Sequence, residues 1–298
     1  MASAPTTWQG GFIPSIKLND GNEIPVLAYG FGTANLKGQD EDISKKAVMA
    51  INNGYYHLDG AESYANETGL GAGIKASGVP REKLFVTTKV GGNKGQDIQA
   101  AFAASLQKLG LDYVDLYLVH VPFLAGSPEE LQRIWAEVEK IKESGKSKSI
   151  GVSNFEQADI EVILQTAKTI PAINQIEYHP YHQHGNLIEY LRSKNIAVSA
   201  FSPLAAATKA SPGPLDGTYA ELAQKCGVTP SDIALRWVID QNVVAITTSN
   251  SEERIRGYLE RVPTFKLSEG EIKRIAEIGK QKHYEIPVEY FMRQIYSA

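Results

Sequence analysis

The sequence predicts an α/β chain closed into a (β/α)8 barrel, and three observations carry that prediction. Eight short runs rich in Val, Ile, Leu and aromatic residues alternate with segments of helical period, the rhythm of a parallel sheet covered by helices. The chain has 298 residues and no low-complexity or linker-like stretch, a length at which an α/β barrel is the usual single-domain solution. No strand is followed by the full G-x-G-x-x-G of an open dinucleotide-binding sheet. Gly30-Phe31-Gly32-Thr33 lacks the third glycine, and Gly69-Leu70-Gly71-Ala72-Gly73 falls inside or beside a helix.

The first predicted element is a β-hairpin over 15–25, because Asn19-Asp20-Gly21 sets a favoured turn pair between two short extended runs. It precedes the barrel strands and can plug the barrel's bottom. Strands follow at 26–29, 57–59, 85–89, 116–120, 149–152, 173–177, 198–202 and 244–247. Helices are expected at 42–53, 97–109, 129–144, 160–169, 187–194, 217–226 and 231–240. The first places Ile43, Ala47, Ala50 and Ile51 on one face, and the third does so with Leu131, Ile134, Trp135, Val138 and Ile141, stripes that cover a sheet. Gly54 and Gly145 stand just past helix ends, and Thr229-Pro230-Ser231-Asp232 reads as a helix start. A last helix, 269–281, leads into a C-terminal loop, 282–298, rich in Tyr, Ile and Phe.

Composition removes several function classes. The formal charge is −4 and the pI about 5.9, whereas a nucleic-acid or anionic-membrane binder carries a strongly basic face. One cysteine, Cys226, allows neither an internal disulfide nor a cysteine zinc site; it reads as an inert small hydrophobe. No apolar run reaches membrane-spanning length, and the N-terminus lacks a signal-peptide pattern, so a cytoplasmic protein is expected. His179, His182 and His184 lie close in sequence, but with no evident second shell they read as a solvated loop, and no metal is expected.

Chemistry in such a barrel gathers at the C-terminal ends of the strands. Asp59, Lys89 and His120 close three successive strands, and Tyr64 lies in the loop after Asp59. A phenol titrates near 10, too high to give up a proton readily at neutral pH. A neighbouring ammonium lowers that value, and a carboxylate beside the lysine holds it charged. A histidine can donate to the same substrate oxygen. The set suits protonation of an alkoxide while hydride arrives from elsewhere. No side chain donates hydride, so a nicotinamide cofactor is implied.

The segment Gly54-Tyr55-Tyr56-His57-Leu58-Asp59-Gly60-Ala61-Glu62-Ser63-Tyr64-Ala65-Asn66-Glu67 resembles the signature of the aldo-keto reductases. So do Thr88-Lys89, the run from Asp112 to His120, Gly151-Val152-Ser153-Asn154-Phe155, Gln175, Phe201-Ser202-Pro203-Leu204 and Arg254-Ile255, in family order across residues 15 to 280. The resemblance implies an NADPH-dependent carbonyl reductase on a (β/α)8 TIM barrel, with Tyr64 as general acid, Lys89 and Asp59 tuning it and His120 orienting the substrate. It implies that Ser153, Asn154 and Gln175 hold the nicotinamide carboxamide and that Phe201 stacks on its ring, where the family usually has tyrosine. Ser202 and Leu204 would line the pyrophosphate, while Gly32 and Thr33 sit beside nicotinamide and substrate. Thr248, Ser249, Asn250 and Arg254 would hold the adenosine 2′-phosphate.

Four positions depart from the family pattern. Thr248 stands where a lysine usually pairs the 2′-phosphate; Arg254, a strong phosphate partner, keeps the expected preference at NADPH. Gly257 and Tyr258 replace the family's Glu and Asn near the adenine. Val121 follows His120 where many relatives carry tryptophan, which widens the substrate pocket expected at Phe31, Val121 and Phe123, with the C-terminal stretch Tyr284 to Tyr296 adding apolar wall. That look is similar to the fungal conjugated polyketone (ketopantoyl lactone) reductases and implies α-dicarbonyl or cyclic ketone substrates. Two other readings stand beside this one: a non-catalytic cofactor-binding or structural protein on the same scaffold, and a barrel enzyme forming a Schiff base at Lys89. The intact four-residue set argues against the first; Ser153, Asn154 and Gln175 are unexplained by the second.

Overall fold

The computed structural model describes residues 13–32, 39–91 and 94–287. Two short strands, β1 (Ser15–Lys17) and β2 (Glu23–Pro25), pair antiparallel with Ile16 opposite Ile24. Gly21 supplies the turn's left-handed residue, with φ of +88°.

Eight parallel strands then close into a barrel: β3 (Leu27–Gly30), β4 (His57–Asp59), β5 (Phe85–Val90), β6 (Val114–Val119), β7 (Ser147–Ser153), β8 (Ile173–Glu177), β9 (Ala197–Phe201) and β10 (Val244–Thr247), which returns to pair with β3. The expected strands are all present, some displaced at their ends. β6 starts two residues earlier than its apolar run, and His120 falls one residue beyond it. The His120 N–H still donates to the Val90 carbonyl at 2.9 Å, so the ladder continues and the side chain keeps the strand's alternation.

The covering helices are α1 (Asp40–Asn52), α2 (Glu67–Ser77), α3 (Ile98–Leu109), α4 (Pro128–Glu143), α5 (Gln157–Leu164), α6 (Leu187–Ser193), α7 (Asp216–Cys226), α8 (Pro230–Ile239), α9 (Glu252–Arg261) and α10 (Glu269–Gly279). α5 lies earlier than its apolar period predicts, because Glu156 and Asp159 form a capping box that fixes its start. α2 and α9 were not among the predicted helices. α2 contains Gly69-Leu70-Gly71-Ala72-Gly73, and its glycines face its neighbours. A Cβ at Gly69 would meet the Asp40 backbone, one at Gly71 the Leu109 carbonyl, and one at Gly73 Ala47 and Ser44. The glycine run therefore serves close helix packing rather than a phosphate. Among the described residues, no helix is long and apolar enough to cross a membrane.

Alternation along the strands separates two cores. Leu58, Val86, Val90, Tyr117, Val119, Ile150, Val152 and Ile176 join the core beneath the helices. Phe85, Leu116, Leu118, Ile173 and Val244 form a second cluster inside the barrel, together with Leu18 and Ile24 from the hairpin. The hairpin thus caps the strands' N-terminal end with apolar side chains. At the opposite end, the same inward rows carry Asp59, Lys89, His120, Ser153 and Gln175. This follows from register: Asp59 pairs with Thr87, and Lys89 lies two residues further along the same face. Ser153 pairs directly with Gln175.

Candidate active site

Lys89 is fully buried, with its Nζ 2.6 Å from Asp59 Oδ1 and 2.7 Å from the Gly60 carbonyl. Its third neighbour is the Tyr64 hydroxyl at 3.5 Å. Gln175 Nε2 donates to the other Asp59 oxygen at 2.8 Å, so the carboxylate is held at both ends. Tyr64 sits in a short 3-10 turn, Glu62–Tyr64, which Ala65 ends in the left-handed conformation at φ of +53°. Its ring meets that of His120 edge-on, with centroids 5.5 Å apart. Ser63 Oγ lies 3.1 Å from His120 Nδ1. The four residues singled out in the sequence therefore converge at the barrel mouth.

The electrostatics differ from the expectation in one respect. Burial raises the Tyr64 phenol well above its ordinary value, and the Asp59 charge adds to this. Lys89, expected to lower it, stands closer to Asp59 and the Gly60 carbonyl than to the phenol. Burial pulls Lys89 down from its usual value, with Asp59 opposing. Burial, then the Lys89 charge, depresses His120 well below the usual imidazole range. At neutral pH the site therefore holds a protonated phenol and a neutral imidazole above the Lys89–Asp59 contact.

A cleft opens over this set. Its walls include Asp59, Tyr64 and His120 on one side, Ser153, Asn154 and Gln175 on another, and Phe201, Ser202, Leu204 and Thr248 beyond. Asn154 and Ser202 adopt left-handed backbone, at φ of +60° and +54°, a strain that clusters at functional sites. Ser153 Oγ donates to the Gln175 carbonyl at 2.8 Å, and Asn154 Nδ2 to the His120 carbonyl at 3.0 Å. Gly32 lines the cleft, and a Cβ there would lie 3.4 Å from the Tyr64 hydroxyl, in ordinary contact with it.

The remaining predicted positions divide. Ser249, Asn250 and Arg254 do not line this cleft; they form the loop after β10 and the first turn of α9. The Tyr29 hydroxyl pins that loop by donating to the Ser249 carbonyl at 2.9 Å. Thr33 lies outside the described residues, as does 288–298 of the C-terminal loop. Phe31, Val121 and Phe123, expected in the pocket wall, are not among the residues that line this cleft. Phe31 and Val121 are fully buried; Phe31 packs on Tyr29 with centroids 5.1 Å apart, and Phe123 is packed against the main core. The apolar wall of the cleft comes instead from Phe201, Pro203, Leu204, Ile246 and Ile286. Lys209 also borders it. Pro203 and Lys209 belong to the loop after a strand's C-terminal end, where the barrel rule points. Ile286 comes from the segment after α10, within the C-terminal stretch 284–296 that the sequence offers as an apolar wall.

The histidine loop is not solvated throughout. His179 is buried and its Nε2 lies 3.0 Å from Glu177, while His184 Nε2 donates to the Glu177 carbonyl at 2.6 Å.

A closed parallel barrel with paired acid and base groups in its C-terminal mouth defines a (β/α)8-barrel enzyme. The profile of the aldo/keto reductase family matches residues 28–280, and the chain belongs to that family. It is 37% identical over 270 residues to a Schizosaccharomyces pombe protein named NAD/NADP-dependent indole-3-acetaldehyde reductase, covering 88% of this chain and 94% of that protein. A Bacillus subtilis protein named glyoxal reductase is 35% identical over 272 residues, 90% of this chain and 94% of the other. Among solved structures, a Bombyx mori aldo-keto reductase in complex with NADP superposes with a TM-score of 0.84 at 33% identity, covering 94% of this chain and 97% of that one.

Proposed function

We propose that this oxidoreductase is an NADPH-dependent carbonyl reductase that reduces an aldehyde or ketone, with Tyr64 as general acid. The observation that carries the reading is the convergence of Tyr64, Lys89, Asp59 and His120 at the mouth of the barrel. A phenol whose pKa is raised keeps its proton until a strongly basic alkoxide forms beside it, and then releases it downhill. Ser63 Oγ is placed to donate to His120 Nδ1, in the tautomer that puts the ring proton on Nε2 for the same oxygen. Lys89 and Asp59 act beneath Tyr64, fixing the hydroxyl and supplying a positive charge as the phenolate develops.

The cleft suits a nicotinamide nucleotide. Asn154 Oδ1 and Gln175 Oε1 have no hydrogen-bond partner among the described residues, while their amide nitrogens are engaged. They are free to receive a carboxamide NH2. Phe201 offers an aromatic face. Thr247 lines the cleft, and its buried hydroxyl has no partner among the described residues. Arg254 is exposed in the first turn of α9 and makes no ion pair among the described residues, which leaves its guanidinium for a 2′-phosphate, with Thr248, Ser249 and Asn250 adding hydrogen bonds. When bound, the reduced nucleotide supplies the hydride.

For substrate we propose α-dicarbonyls and cyclic ketones; the relative named for glyoxal supports that class. The test is NADPH consumption by purified protein across aldoses, benzaldehydes, α-dicarbonyls, isatin and ketolactones, with Tyr64→Phe in parallel. Turnover falling by roughly 10²–10⁴-fold in the variant, with NADPH binding retained, is the expected result. Near-normal turnover in Tyr64→Phe would remove the phenol from the mechanism. Faster reduction of simple aldoses than of α-dicarbonyls would overturn the substrate class.

A further inference from the structure

The chain has six histidines, and four of them meet on one side of the barrel mouth. The His182 ring lies 4.0 Å from that of His184, 5.4 Å from His283 and 6.3 Å from His179, centroid to centroid. Two of the four are committed elsewhere. His179 bonds Glu177 through Nε2 and accepts the Tyr181 N–H at Nδ1, at 3.0 and 3.2 Å. His184 gives Nε2–H to the Glu177 carbonyl, and its Nδ1 faces Glu156 at 3.5 Å. The other two face a single carboxylate: Glu285 Oε2 lies 3.7 Å from His182 Nδ1 and 3.2 Å from His283 Nε2.

We propose that His182, His283 and Glu285 form a binding site for a zinc-class divalent cation that clamps the chain after α10 onto the loop after β8. One donor atom from each of the three lies within 4.8 Å of the others. Ligand atoms on a tetrahedral zinc at ~2.1 Å stand roughly 3.4 Å apart, so the two measured separations already bracket that spacing. Two imidazoles and a carboxylate select zinc, cobalt or nickel over magnesium or calcium, which prefer oxygen alone. His182 is ready to ligate: its ring makes no hydrogen bond among the described residues, and its Nδ1 faces Glu285. The side chains of His283 and Glu285 are 69% and 52% exposed, which leaves a fourth position to water and gives an entry path.

The place of the site gives it a consequence. The Tyr284 N–H donates to the Tyr181 carbonyl at 3.2 Å, and the Ile286 N–H donates to Glu177 Oε2 at 2.7 Å. Ile286 then lines the active-site cleft. A cation held by His283 and Glu285 fixes the two residues that flank Tyr284 and immediately precede Ile286. It therefore tightens one wall of the cleft from outside it. The ligands come from positions about a hundred residues apart, which is why the short-range histidine cluster did not disclose them.

The test uses full-length protein without a histidine tag, titrated calorimetrically with Zn2+ and spectroscopically with Co2+, with Mg2+ as control. One Zn2+ per chain, a tetrahedral Co2+ visible spectrum and slower amide exchange over 282–287 are expected. Binding is expected to weaken by roughly 100-fold or more in His283→Ala and in Glu285→Gln, since loss even of an outer-shell partner weakens binding 10–100-fold. Both residues are surface-exposed, so neither variant threatens folding. His184→Gln and Cys226→Ser should bind as the parent does. No saturable Zn2+ binding, binding unchanged in both ligand variants, or binding lost only in Cys226→Ser would overturn the site. None of these readouts depends on which carbonyl the enzyme reduces.

Discussion

Lys89 and Asp59 allow stability and catalysis to be separated in one experiment. The Lys89 side chain is 0% exposed and that of Asp59 4%, and their charged atoms are 2.6 Å apart. Removing one member of such a pair leaves the other charged and buried, which destabilises by about 3–5 kcal/mol. In Lys89→Met the carboxylate keeps one donor, Gln175 Nε2 at 2.8 Å, which places the loss near 3 kcal/mol. For a chain of this size each kcal/mol moves the melting temperature by roughly 2–4 °C, so a fall of roughly 6–12 °C is expected. In Asp59→Asn the buried ammonium keeps the Gly60 carbonyl, and the loss is similar. The double variant Asp59→Asn/Lys89→Met buries no charge. It should recover most of the stability while turnover stays as low as in either single variant. The assay is thermal unfolding beside NADPH consumption on the same preparations. A Lys89→Met protein as stable as the parent within about 1 kcal/mol would refute the buried-pair argument, as would a double variant less stable than both singles. Recovered turnover in the double variant would refute the role given to the pair beneath Tyr64.

Three further outcomes follow from the geometry. Gly71→Ala drives a methyl into the Leu109 carbonyl, a backbone atom that cannot rotate away, and should destabilise by about 3 kcal/mol in denaturant unfolding; Gly217→Ala, with nothing within 4 Å of the new carbon, should be neutral or slightly stabilising. His57 is buried and neutral, with its pKa pushed down to about 4 by desolvation. The unfolded chain takes up that proton below about 6.5 and the folded chain does not. Stability is therefore full above that pH and is lost as pH falls from about 6.5 to about 4, by about 3 kcal/mol from this residue alone, which denaturation midpoints at pH 7 and 5 would read. Arg254→Ala should raise the Kd for NADPH by roughly 10–100-fold, the worth of a charged hydrogen bond, and leave that for NADH nearly unchanged; equal weakening of both would separate Arg254 from the 2′-phosphate.

The barrel and the Tyr64 set were legible because both are written in local order. Strands of a parallel barrel are buried on both faces and read as continuous apolar runs, and their last residues point into the mouth whatever the loops do. That is why Asp59, Lys89 and His120 could be aligned although the end of β6 was misplaced: alternation carries a side chain past a strand's formal end. Two things were not legible. The first is which aromatic faces the cleft and which the core. Phe31 and Phe201 both sit near strand ends, yet one is locked against Tyr29 and the other opens to the cleft, a difference set by neighbours distant in sequence. The second is the sign of a pKa shift. The sequence places an ammonium near a phenol, but the outcome depends on three distances around one Nζ. With Asp59 and Gly60 nearer than the phenol, desolvation outweighs the ammonium at Tyr64. This changes what the site does before reaction: it stores a proton rather than loosening one, and leaves the basicity of the forming alkoxide to draw it out.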